Sequence, residues 1–141
     1  MSCVLRVGGG DFNADCFVAS VPLVIDSMWR KGERHLPNSA KNEQIHESSG
    51  VRIVASEASF SELPQQVEDA ISFLQTNLES LKRLSSFPGV EWLVLDFGAE
   101  IHTLGWSLFT FPPELLSLSG KAGISLCLSV YPTESGAEAN A

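Results

Sequence analysis

The chain has 141 residues, 44% of them hydrophobic, with a formal charge of -8 and a pI near 4.7. That length suits one domain with a single core, read as residues 1–131 followed by a floppy tail over 132–141. The acidity argues against binding nucleic acid through phosphate neutralisation, and no apolar stretch approaches the roughly 20 residues of a membrane span.

"CVLRV" at 3–7 reads as a strand closed by Gly8, Gly9 and Gly10, which suggests a tight turn. Asn13 has the chemistry of a helix N-cap, and Phe12 and Phe17 are spaced as a hydrophobic staple. Pro22 limits this helix to roughly two turns. "LVIDSMWRK" at 23–31 returns to strand composition. From Glu33 to Gly50 the chain is polar and without periodicity, a long loop that is functional or disordered.

"VRIVAS" at 51–56 is a further strand. Ser61 as N-cap and Pro64 in the first turn open the main helix. Its apolar face consists of Val67, Ala70, Ile71, Leu74, Leu78, Leu81 and Leu84, and "FPG" at 87–89 stops it. "VEWLVLDFG" at 90–98 is a continuous apolar run, which predicts a central strand covered on both faces. "WSLFTF" at 106–111 is a strand candidate, and the short helix after it ends at Gly120 or Gly123. In "ISLCLSVY" at 124–131 alternation puts Ile124, Leu126, Leu128 and Val130 on one side and Ser125, Cys127, Ser129 and Tyr131 on the other. The predicted class is α+β: a ferredoxin-like split βαβ sheet with helices on one face and an appended strand, helix and strand.

Several stretches, taken in order, resemble the bacterial domain-of-unknown-function family numbered 4279: "GGGDFNAD", "MWRKGER", "ESSGVRI" and "FPPELLSLSGKAGISLCLSVYP". The resemblance spans Val4 to Pro132. It implies a small α/β fold with no established activity, and some such families sit among toxin-neutralising immunity proteins.

The candidate sites begin at Trp29. Arg30, Lys31 and Arg34 follow it, and from Arg30 to Lys41 four cations stand against Glu33, a net +3 that leaves -11 for the rest of the chain. Trp and Arg are the residue types enriched where proteins grip one another. The leading expectation is therefore a non-enzymatic cytoplasmic interaction protein, of inhibitor or immunity type, that uses Trp29, Arg30, Lys31 and Arg34 against an acidic protein partner. No nucleic acid, membrane or cofactor is expected, and a homodimer through an open sheet edge is a further possibility.

The alternative is a small-molecule or anion site, or a degenerate enzyme, at the Gly8, Gly9, Gly10 and Asn13 turn. There Gly8 and Gly10 fit two glycines of a dinucleotide fingerprint whose third position is Asn13. His35, His46 and His102 match no zinc spacing, and Asp96, Glu100 and His102 form a weak acid–base set. Cys3, Cys16 and Cys127 are odd in number without a CxxC, as in a reducing compartment, and Cys16 and Cys127 read as small core or sheet residues.

Overall fold

The computed structural model describes residues 2–33, 45–101 and 107–132. Eight elements follow in order: β1 Cys3–Gly9, α1 Ala14–Ser20, β2 Ser27–Trp29, β3 Ser49–Ser56, α2 Leu63–Leu84, β4 Trp92–Ile101, α3 Pro113–Ala122 and β5 Ser125–Pro132. The strands form one five-stranded sheet in the order β2-β3-β1-β4-β5. Neighbours run antiparallel except β5, which lies parallel to β4. The fold is α+β.

Period-two alternation decides what each strand buries. Leu5 and Val7 of β1, Val51 and Ile53 of β3, and Leu93, Leu95 and Phe97 of β4 are buried in one cluster with Phe17 of α1, Leu74 and Leu81 of α2, and Leu115 of α3. The three helices therefore cover one face. The intervening residues Val4, Arg6, Arg52, Val54, Trp92, Val94 and Asp96 are half-buried on the other. β4 was expected to be covered on both faces, and this corrects it. A continuous apolar run records how many residues leave water, and here Trp92 and Val94 cover backbone on a face that no described helix reaches.

Local chemistry sets the helix ends. The Asn13 side chain accepts from the Cys16 N–H at 3.0 Å, satisfying a donor that the first turn leaves over. Phe12 meets Phe17 edge-on at 5.3 Å, and both meet Phe87, so the staple is joined to the far end of α2. α2 starts one residue later than its sequence suggests. Glu62 occupies the N-cap position and Pro64 the first turn, while the Ser61 hydroxyl is engaged with that of Ser59 at 2.8 Å. Gly123 ends α3 at φ 72°, a left-handed conformation that favours glycine.

Four further expectations are corrected. Residues 107–110 form no strand: Phe109 and the following Phe111 pack on the core instead. The strand expected over 23–31 shrinks to Ser27–Trp29, because Val21, Leu23 and Ile25 pack against the core from irregular chain. Gly8 and Gly9 belong to β1 rather than to a turn, and Pro132 belongs to β5 rather than to the tail. Of the long polar loop, residues 34–44 lie outside the described residues, and so does the chain after Pro132.

Candidate binding face on the open side of the sheet

The open face is built from cross-strand rows. In the first, Trp29 pairs with Gly50, Gly50 with Gly8, and Gly8 with Trp92. The indoles fill the space that side chains on the glycines would take. A Cβ on Gly50 would lie 2.3 Å from the Trp29 ring, and one on Gly8 would lie 2.6 Å from the Trp92 ring. Two tryptophans thus lie side by side at one end of the face, held down by the absence of side chains beneath them.

The next row carries Ser27, Arg52, Arg6 and Val94. Like charges directly opposite one another across two strands repel, and here each guanidinium has an acidic neighbour. Arg6 Nη2 donates to Asp96 at 2.9 Å, and Arg52 Nη2 donates to Asp26 at 3.5 Å. Ser129 of β5 donates to the other oxygen of Asp96 at 2.8 Å. The Nε of Arg6 is buried without an acceptor among the described residues. Arg6, Arg52, Asp96 and Ser129 line a recess of about 230 Å³ whose far wall is Phe60 and Tyr131, stacked at 4.8 Å. Phe60 covers Gly98 as the tryptophans cover Gly50 and Gly8.

Beside Trp29 stands the basic stretch. Arg30 grips the Asp15 carboxylate with two donors, at 2.9 and 2.7 Å, and lies 3.6 Å from Glu33. This fork–fork pair holds the Asp15 carboxyl below its usual range and raises the guanidinium further, yet Arg30 remains 45% exposed. Arg30 therefore joins β2 to α1 rather than standing spare. Lys31 is exposed, makes no ion pair among the described residues, and donates its backbone N–H to the Ser49 hydroxyl at 2.9 Å. Glu33 and His46 close the base of the long loop through a 2.7 Å backbone bond, which brings His46 within 6.1 Å of the Trp29 ring. Arg34, His35 and His102 lie outside the described residues.

The glycine-turn candidates have local duties. Gly8 lies under Trp92, Gly9 lies against the Gly89 carbonyl, and Asn13 caps α1. Asp96 lies on the open face, engaged by Arg6 and Ser129, whereas Glu100 lines a separate pocket with Leu63, Val67 and Leu108. Among the cysteines Cys3 is buried, and burial pushes its thiol pKa up. Cys127 is half-buried, whereas Cys16 is exposed rather than a core residue, because α1 buries only Ala14 and Phe17.

Sequence reasoning singled out Trp29 and its basic neighbours as candidates but did not join Arg6, Arg52, Asp96 and Ser129 as a unit. The Arg6–Asp96 contact spans 90 residues. The available signal was parity: charges at even positions inside strands whose odd positions are apolar. Comparison of the chain with family models, with curated proteins and with solved structures finds no match to any of them.

Proposed function

We propose that this chain is a non-enzymatic interaction protein, cytosolic and of inhibitor or immunity type, whose contact surface is the open face of the sheet. The observation that carries this reading is the row of Trp29 and Trp92 laid flat over Gly50 and Gly8, beside Arg6 and Arg52. Flat aromatic surface next to guanidinium is what protein partners bury as hot spots. Arg6 and Arg52 lie on this face and the exposed Lys31 follows directly after β2, in a chain that is otherwise strongly acidic, which favours an acidic partner. The ferredoxin-like reading of the first six elements belongs to this proposal. Antiparallel neighbours in the order β2-β3-β1-β4, with helices on one side, support it, and β5 adds a strand beyond β4.

The test is capture from lysate of the cells that make the protein. A partner held through this face is retained by the wild type at low salt and released at high salt. It is lost with Lys31→Glu combined with Arg52→Glu, and kept with Lys121→Glu on α3. Retention by the double variant overturns the reading. Arg52 is half-buried and loses its contact with Asp26, so the melting temperature of the double variant is measured alongside and capture is compared only for the folded protein.

One observation favours a second reading, the binding of a small anion. Arg6, whose Nε has no acceptor among the described residues, lines the recess with Ser129 and Tyr131, so the anion site suggested at the glycine turn is better sought there. Thermal shift with inorganic phosphate and with acetate tests it. A flat response to both removes it.

A further inference from the structure

The two edges of the sheet are finished differently. β2 has three residues and is flanked by Asp26, Arg30 and Lys31, the short, charged edge by which proteins avoid adding strands. β5 has eight residues, and no charged residue occurs between Lys121 and Glu134. Its register on β4 runs without a bulge from Val94↔Ser125 to Ile101↔Pro132, and proline appears only at the last position. None of its residues is buried, and Val130 and Tyr131 are 41% and 47% exposed. Among the described residues no strand pairs with its outer side. A long, regular, uncharged strand at an edge offers a row of unpaired N–H and C=O groups to another strand.

We propose that a second copy of this chain occupies that edge, with the two β5 strands antiparallel about a twofold axis at Leu128. Two copies at -8 each repel one another across most of their surface, and β5 is a place where they can meet without opposing charges. The strand is also complementary to itself in this register. Leu128 opposes Leu128, and Leu126 opposes Val130, on the side facing the helices. Cys127 opposes Ser129, and Ser125 opposes Tyr131, on the open side. An isologous contact of this kind closes at two copies. The axis stands perpendicular to the sheet, so the two five-stranded sheets continue as one, with all helices on one side and both open faces on the other. The dimer does not depend on an acidic partner, but it would present two copies of the aromatic and arginine row to any partner on one surface.

Sedimentation equilibrium of the full chain at micromolar concentration is expected to give twice the 15.2 kDa chain mass. Ser125→Lys with Tyr131→Lys sets lysine against lysine at both ends of the pairing and should give a monomer, as should Ser125→Glu with Tyr131→Glu. Mixing these two variants should restore the dimer, because each lysine then faces a glutamate. In the wild type, β5 amides should exchange more slowly as concentration rises, while β2 amides do not change; this reading stands even if a variant folds poorly. A monomeric wild type, as expected if the edge instead takes a foreign peptide, overturns the proposal. A dimer that survives both double variants, or a mixture that stays monomeric, does the same.

Discussion

A glycine opposite a tryptophan is an occupied position, and the nature of the occupant sets the cost of substitution. A Cβ on Gly9 would lie 2.1 Å from the backbone carbonyl of Gly89, which cannot swing aside. The three atoms nearest a Cβ on Gly50 all belong to the Trp29 ring, which can. Gly9→Ala should therefore cost about 3 kcal/mol, at the upper end of overpacking, and Gly50→Ala about 1 kcal/mol. Urea unfolding measures both, and Gly50→Ala should also red-shift the tryptophan emission as the indole lifts into water. Equal costs would show that Trp29 is as fixed as backbone.

The same scale holds a pH prediction. Burial raises the Cys3 thiol above its usual 9.0, so as pH passes about 9 the unfolded chain loses this proton while the folded chain keeps it. The folded state then binds more protons, and stability falls by about 1.4 kcal/mol per pH unit from this group. Urea midpoints at pH 8, 9 and 10 should converge between wild type and Cys3→Ala, whose slope lacks this contribution. A constant difference across that range refutes it.

At the scale of elements, Gln66 does what no hydrophobic residue on α2 can. It is fully buried, donates to the Ser59 and Gly98 carbonyls at 2.9 and 2.7 Å, and accepts from the Gly98 N–H at 3.2 Å. The start of α2 is thereby fixed to the middle of β4. Gln66→Leu takes a donor from the buried Gly98 carbonyl and should cost about 2–3 kcal/mol in urea unfolding. For comparison, Asn13→Ala should cost about 1 kcal/mol through the lost cap and Asn13→Ser almost nothing. These two residues mark the boundary of what the sequence discloses. The Asn13 cap, the α2 stripe and the Gly123 stop were legible because their causes lie within a few residues of chain. Gln66, Arg6 and Asp96 were not, since their partners are 32 to 90 residues away. The strand expected over 106–111 failed over its described residues for a related reason: β-composition says a segment can pair, not whether the core will claim its side chains, as it does Phe109 and Phe111.

At the scale of the whole molecule, the arrangement of one helix layer on one sheet makes an alternating prediction across three strands. Leu5, Ile53 and Leu95 face the helices and are 2% exposed or less, whereas Val4, Val54 and Val94 sit between them on the open side, half-buried. Truncation on the inner side opens a cavity that packed neighbours fill only in part, so Leu5→Ala and Leu95→Ala should cost about 3 kcal/mol or more. On the outer side water replaces the lost methyls, and Val4→Ala, Val54→Ala and Val94→Ala should stay near 1 kcal/mol or below. Urea midpoints of this set, taken on the isolated chain, decide the matter. A matching loss at the outer positions would mean that something covers the open face in the free protein, and the binding surface proposed there would have to be given up. The predicted pattern leaves Trp29, Trp92, Arg6 and Arg52 on a face whose packing the core does not need, which is the condition for its use in recognition.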